Sequence, residues 1–477
     1  MTWLIRLSGD LTTKLHHTRR RFQRRLVHNL KEALESRGIR YTLHPSWSRL
    51  LLHSDDARAA EAIEQVFGIH SYSQVQRYAV TTLADLVVQG QALYAHAVQG
   101  KTYAVRARRA GFSPFSSMEI QVALGAALNA EAKVDLTNPQ VTVHVEVRDG
   151  QVYFFSDQRP GPGGLPLGVE GKALLLVSGG FDSAVAAWMM LRRGLALDYV
   201  FFRLGGEAHE RDVYQVVSVL AERWSHGTHP KLYVIPFEGV VAQIQDKVQT
   251  RYWQLVLKRQ MYRAAQALGL HRRIHTLVTG ESLGQVSSQT LANLEALCVT
   301  GSTLLLRPLI GFHKQEIIER AYQIGTGELS AKVPEYCAIV PEQPATSARF
   351  DVLDAEEAKL QVDIHALAVS AKRVDLRQAA PVAQVAQSVA QFPSDGDAVL
   401  LDIRTESEFR RVHDPRAVHL DFAYALDYYD RLDKSKTYYV YCGVGLKSAN
   451  LVERMRLAGY QAVVYQPSME GELTDAL

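Results

Sequence analysis

Cysteine is scarce in this chain: three among 477 residues, at Cys298, Cys337 and Cys442. No two of them form C-x-x-C, which removes the usual zinc-ligand spacing. Three thiols are also too few, and too odd in number, to staple a chain of this length. Nucleophilic or redox use remains, or plain burial. Long apolar runs are missing too. Stretches such as Ala173–Val177 and Val399–Leu401 fall far short of the ~20 residues a bilayer span needs. Met1-Thr2-Trp3-Leu4-Ile5-Arg6 has neither the charged head nor the apolar core of a secretory leader. A cytoplasmic protein without membrane contact is expected. No charge sign dominates: 53 Lys+Arg against 50 Asp+Glu leave +3. With 47% hydrophobic and 22% charged residues the balance is that of a folded globular chain. At roughly 100–200 residues per domain, the length suggests three or four domains.

The charge that is present is unevenly spread. Lys14 to Arg40 holds nine Lys/Arg (Lys14, Arg19, Arg20, Arg21, Arg24, Arg25, Lys31, Arg37, Arg40) against Glu32 and Glu35. Such a patch attracts phosphate backbones, or is simply a solvated helix face. Alternation at residues 2–8 predicts a strand. A helix over 12–37 follows, then strands at Ile39–Leu43 and Arg49–His53, then a helix from Asp55-Asp56 to about Phe67. This β-α-β-β-α order suggests a small ferredoxin-like unit. Further strands are predicted at Ala79–Leu83, Thr102–Arg108 and Gln140–Val147, with a helix over Ser116–Leu128. Arg159-Pro160-Gly161-Pro162-Gly163-Gly164 reads as a linker. Strands at Ala173–Ser178, Asp198–Arg203, Lys231–Pro236 and Thr276–Thr279 alternate with helices, which suggests a parallel α/β sheet. A boundary falls within 355–395. A last short α/β unit has strands near Ala398–Asp402, Thr437–Cys442 and Ala462–Tyr465.

Two loops carry chemistry. The strand Ala173–Val177 runs into Ser178-Gly179-Gly180-Phe181-Asp182-Ser183, and a helix follows. Two glycines let the backbone turn close to an anion, and the helix start adds free N–H groups and a positive dipole end. The Ser178 and Ser183 hydroxyls can donate to phosphate oxygens, and Asp182 suits Mg2+. This is not G-x-x-x-x-G-K-[ST]. It resembles the SGGxDS loop of the N-type ATP pyrophosphatases (PP-loop enzymes), which adenylate an oxygen and so make it a leaving group. The second loop, Cys442-Gly443-Val444-Gly445-Leu446-Lys447-Ser448, lies between the strand Tyr438–Tyr441 and a helix. Backbone N–H groups and the helix dipole would stabilise a thiolate or persulfide there; the alternative is a buried structural thiol. The loop resembles that of rhodanese domains, with Asp402 and Arg404 matching the family's D-x-R. Where that family has G-H-I-P-G-A, this chain has Arg411-Val412-His413-Asp414-Pro415-Arg416-Ala417. Cys337, between Pro334 and Pro341, is expected on a loop, and Cys298 in an apolar helical core.

Taken together, the chain resembles the tRNA 4-thiouridine synthetases (tRNA uracil 4-sulfurtransferases), in the long form that ends in a rhodanese domain. THUMP character lies in Tyr103–Arg109, Ser116–Ile120 and Val134–Pro139. The resemblance implies an α/β multidomain chain. Its parts would be a ferredoxin-like domain at 1–54, a THUMP domain at 55–160, a PP-loop adenylation domain at 170–375 and a rhodanese domain at 390–477. It implies nucleotide contacts at Leu176, Val177, Ser178, Gly179, Gly180, Asp182, Ser183, Lys258, Gly280, Gln289 and Lys314. Arg19, Arg20, Arg21, Arg24, Arg25, Arg106, Arg108 and Arg109 would face tRNA. Cys442 would carry a persulfide, with Cys337 its disulfide partner and Asp182 completing the catalytic set. ATP is the implied cosubstrate, with Mg2+ arriving on it and no tightly held metal. Implied partners are tRNA, a cysteine desulfurase as sulfur donor, and a sulfur-carrier protein of thiazole (thiamine) synthesis; a homodimer is left open. Rival readings are sulfur supply to thiazole synthesis, another PP-loop synthetase, and a non-catalytic tRNA-binding scaffold.

Overall fold

Thr2–Leu7 is buried along almost its whole length because it is sandwiched. Trp3, Ile5 and Leu7 pack on one side with Phe22, Leu26 and Leu30 of the helix His16–Glu35. Leu4 packs on the other with Tyr153 and Phe155. The computed structural model describes residues 1–111, 114–130, 132–148, 150–204, 206–298, 303–333, 343–378, 392, 397–442 and 446–465. They divide into two units. One comprises residues 1–170 with 191–195 and 226–228; the other comprises 171–190, 196–225 and 229–477.

In the first unit, one antiparallel sheet runs in the order Thr42–Pro45, Arg49–His53, Thr2–Leu7, Ile69–Gln74, with Arg159–Pro160 at the edge. This is the ferredoxin-like arrangement, but it does not stop at residue 54. Ile69–Gln74 pairs directly with Thr2–Leu7, and Ala59, Ala62 and Ile63 of the helix Ala59–Glu64 lie in the same core. The body therefore extends through residue 74. The helix predicted over 12–37 runs His16–Glu35, preceded by a separate short helix at Gly9–Thr12.

A second sheet of the unit has the order Gln76–Ala79, Gln151–Phe155, Val141–Arg148, Thr102–Ala110, Lys133–Val134. The strand predicted at Ala79–Leu83 is displaced. Thr82 instead caps the helix Leu83–Val98, accepting the Asp85 N–H at 3.1 Å, so the chain turns helical where a strand was expected. Ser116 and Glu119 form a capping box on Ser117–Leu128. The segment predicted as a linker is pinned. Gly161 N–H donates to His70 O and Gly163 N–H to Ile69 O, each at 2.8 Å.

The second unit contains a sheet in the order Leu304–Leu306, Thr276–Val278, Lys172–Leu176, Ala196–Arg203, Lys231–Pro236, all parallel, closed by antiparallel Lys372–Asp375. The first and last of these strands, three and four residues long, escaped the sequence reading. A further parallel sheet runs Ala417–His419, Ala398–Asp402, Thr437–Tyr441, Gln461–Val464.

Gly164 sits at φ +73°, and a Cβ there would lie 2.1 Å from Arg192 O. Gly100, at φ +70°, has open space around it. Gly164→Ala is expected to cost the first unit about 3 kcal/mol, from left-handed strain plus overpacking. Gly100→Ala should cost about 1 kcal/mol, for strain alone. Denaturant melts of the two variants compare them; equal losses would refute the close approach.

Candidate active site

The five parallel strands change direction of winding between Lys172–Leu176 and Thr276–Val278, so a crevice opens beyond their carboxyl ends, where open α/β sheets bind ligands. The Ser178–Ser183 loop lies there. Val177 N–H holds Val200 O at 2.9 Å, and Gly179 takes φ +83°. The Ser183 hydroxyl donates to Gly180 O at 3.1 Å and accepts the Ser178 N–H at 3.4 Å. The helix Phe181–Arg192 then leads away. Gly280 lies against its first turn: a Cβ on Gly280 would be 2.7 Å from the Asp182 carbonyl carbon and 2.8 Å from Ser183 N.

The sequence-predicted nucleotide residues gather around this loop, in two charge groups. Lys314, the first residue of the helix Lys314–Ile324, places Nζ 3.0 Å from both Asp182 carboxylate oxygens. Gln285 adds a donor to Asp182 at 3.0 Å. In the second group Lys258 Nζ is 3.2 Å from Glu281, and Arg307 Nε donates to the same carboxylate at 2.7 Å. Burial pushes the Glu281 carboxyl up, but Lys258, Arg307 and Tyr262 together hold it below the ordinary carboxylate range. Gln289 uses its side-chain oxygen to accept Ser282 N–H at 3.1 Å, shaping the loop after Gly280. Leu176 and Val177 end the central strand, Val177 fully buried. Sequence reading missed Gln285, Glu281 and Arg307, and also His209. The His209 Nε2 is 3.4 Å from Ser178 O, its ring meets Phe201 edge-on at 4.8 Å, and burial pushes its pKa down to about 4.

Cys442 follows directly on the strand Thr437–Tyr441, half-buried, with Sγ 3.6 Å from the Ser448 hydroxyl. Arg404 grips Asp402 with two bonds of 3.0 and 2.6 Å and also reaches Val412 O at 2.8 Å. The D-x-R pair thus ties down the segment that departs from the usual rhodanese pattern. The helix Leu446–Leu457 packs on Gly206–Trp224, the helix that bears His209. Cys337 lies outside the described residues. Cys298 is exposed, contrary to the core position expected of it. The helix Leu291–Ala296 ends before it, and Leu294, Ala296 and Leu297 take the buried positions.

Two of the eight predicted RNA-facing arginines are turned inward. Arg19 is buried, bonded to Thr12 O at 3.2 Å and Trp47 O at 2.7 Å, with its guanidinium 4.1 Å over the Trp47 ring. Arg25 donates to Leu167 O at 2.8 Å and to Gly227 O. Both hold the fold of the first unit. Arg20, Arg21, Arg24, Arg106, Arg108 and Arg109 are exposed.

Comparison with known proteins assigns the whole chain. The family "Thiamine biosynthesis protein (ThiI)" matches residues 168–362. A ThiI ferredoxin-like domain matches 2–73, a THUMP domain 80–157 and a rhodanese-like domain 385–471. A tRNA sulfurtransferase of Desulfurococcus amylolyticus is 35% identical over 97% of this chain and 96% of its own. One of Pectobacterium atrosepticum is 36% identical over 98% and 100%. The chain belongs to the tRNA sulfurtransferase family. It is a sulfurtransferase enzyme of the ThiI type, with ferredoxin-like, THUMP, PP-loop and rhodanese parts. Among solved structures, a 4-thiouridine synthetase in complex with RNA and bound ATP superposes with a TM-score of 0.69 at 28% identity, covering 78% of this chain and 98% of that one. The ferredoxin-like match of this tRNA sulfurtransferase ends at residue 73, just before the close of the strand Ile69–Gln74.

A buried His209 that resists protonation makes stability depend on pH. Between an ordinary value of 6.5 and about 4 the unfolded chain binds the proton and the folded one does not. Stability is thus full above the unfolded value and falls as pH drops, by about 3 kcal/mol at pH 4. Unfolding of wild type and His209→Asn followed from pH 7 to pH 4 should show this component only in the wild type. Parallel curves would contradict it.

Proposed function

We propose that this tRNA sulfurtransferase uses ATP to adenylate O4 of a tRNA uridine, position eight in the resembling family, and replaces that oxygen with sulfur delivered by Cys442, giving 4-thiouridine. The observation that carries the reading is the Ser178–Ser183 loop at the sheet's switch point, with Lys314 already on Asp182. The backbone N–H groups of the loop and the start of the helix Phe181–Arg192 suit a polyphosphate. Arg20, Arg21, Arg24, Arg106, Arg108 and Arg109 suit an RNA backbone, in line with the RNA held by the related synthetase.

In the first half-reaction O4 attacks the α-phosphorus and pyrophosphate leaves. Asp182 would hold Mg2+, which screens the pyrophosphate charge. A lone carboxylate fits that ion because substrate phosphates and water fill its remaining positions, and no cluster of three metal-ligating side chains occurs among the described residues. In the second half-reaction sulfur attacks C4 and AMP leaves. In one route the terminal sulfur of the Cys442 persulfide, loaded by a cysteine desulfurase, attacks directly. The Cys337 thiolate then attacks Cys442 Sγ, frees the thiolated base and leaves a Cys337–Cys442 disulfide for a reductant to reopen. In the other, Cys337 first displaces hydrosulfide from Cys442, which attacks instead; the same disulfide remains. Packing of the helix after Cys442 on Gly206–Trp224 supports delivery toward the phosphate loop. The same thiol would supply sulfur to a carrier protein of thiazole synthesis, which fits the family's description.

Asp182→Ala is expected to abolish tRNA-dependent pyrophosphate release, measured with labelled ATP. Cys337→Ala should abolish release of thiolated tRNA, because Cys337 acts within the first turnover in either route, read by mass spectrometry of tRNA nucleosides. Wild-type multiple turnover in Cys337→Ala would remove the disulfide step. The fragment 390–477, supplied with a desulfurase and tested for each product, separates the two sulfur routes: thiazole supply without tRNA thiolation is the expected result.

A further inference from the structure

Glu281 is a charged residue only 5% exposed, set beside the phosphate loop by its neighbour Gly280. It gathers donors from three elements. Lys258 comes from the helix Trp253–Arg272, Arg307 follows the strand Leu304–Leu306, and Thr279 from the adjoining strand end donates its hydroxyl at 3.2 Å. Tyr262, one turn beyond Lys258 on the same helix, is fully buried; burial and the Glu281 carboxylate push its phenol well above the ordinary value. Register places Arg307 at the site: Val278 pairs with Leu306, and Thr279 N–H donates to Leu306 O at 3.0 Å, so the next residue on each strand reaches the same crevice.

A buried carboxylate needs a partner, but one cation would satisfy it. Here two surround one carboxylate, leaving an excess positive charge. The cations are also more open than the anion: Lys258 and Arg307 side chains are 26% and 18% exposed, against 6% for Glu281. One Arg307 nitrogen, Nη2, has no hydrogen-bond partner among the described residues. Unlike the cations around Glu146, this surplus stands beside the phosphate loop, where Gly280 rests on Asp182 and Ser183.

We propose that Glu281 is the positioning residue of the adenylation site and that Arg307 is a phosphate-facing cation of that site alongside Lys258. Glu281 stays bound to the protein and aims both cations at the charge that gathers on the α-phosphate as pyrophosphate departs. The inference rests on the adenylation reading above. It deepens it by naming a residue that acts through others and a second cation beside Lys258. Preorganised charge of this kind acts mainly in the transition state.

The test uses the full chain with tRNA and ATP, reading pyrophosphate release per folded molecule. Glu281→Gln keeps the size but removes the charge and turns one of the two accepting oxygens into a donor. It should lower kcat about 100-fold while KM for ATP moves less than about threefold. Arg307→Lys keeps a cation but loses the fixed fork and should lose about 30-fold. The double variant should be little worse than Glu281→Gln, because both act through one arrangement. A folded Glu281→Gln with wild-type kcat overturns the proposal, as does a loss explained wholly by a smaller folded fraction in thermal melts. Strictly multiplicative losses in the double variant also overturn it. A wild-type chain that thiolates tRNA without releasing pyrophosphate would sink the adenylation reading itself, a result distinct from a working wild type with an unaffected Glu281→Gln.

Discussion

The contact on which the site depends is a backbone resting on a backbone. Gly280 lies so close to Asp182 and Ser183 that no side chain fits between them. That approach brings the end of the strand Thr276–Val278 onto the helix that opens at the phosphate loop. It sets Glu281 beside that loop and, through the segment 282–289, brings Gln285 onto Asp182. One hydrogen atom in place of a methyl group thus joins two stretches of chain about a hundred residues apart into one charged crevice.

The crevice is organised by opposed charges. Asp182 is met by Lys314, and Glu281 by Lys258 and Arg307. Each carboxylate is partly or wholly withdrawn from water, so each needs its cation. The cations in turn stand where polyphosphate charge would arrive. The neutral His209 under Ser178 O adds a fixed hydrogen bond without altering this balance.

What could be read from the sequence followed the range of the interactions. The hexapeptide Ser178–Ser183 between an apolar strand and a helix is a local pattern, and its geometry is largely self-contained. The Lys314–Asp182 pair spans 132 positions and could be expected only through the resemblance. Glu281 and Arg307 were invisible, because an acid or a base looks the same whether it is solvated or enclosed. Arg19 and Arg25 show the opposite error: a basic run says how much charge a helix carries but not which face bears it. Arg19 stands three residues before Phe22 and seven before Leu26, on the same buried stripe, so helical spacing alone argued for its inward turn. The missed helix Leu83–Val98 carried a capping signal, Thr82 with Asp85, that the strand reading overrode.

The return of Arg159–Pro160 to the edge of Ile69–Gln74 has a consequence for synthesis. The whole second sheet is spelled out between those two partners. A ribosome adding roughly 5–20 residues per second needs about 4–17 s to pass from the first to the second. For that interval the nascent chain exposes the open edge of a nearly finished sheet, the kind of edge that pairs with strangers. Ile69–Gln74 carries His70, Ser71, Tyr72, Ser73 and Gln74 in place of a run of aliphatic residues. That polar content keeps the waiting edge from becoming an adhesive one.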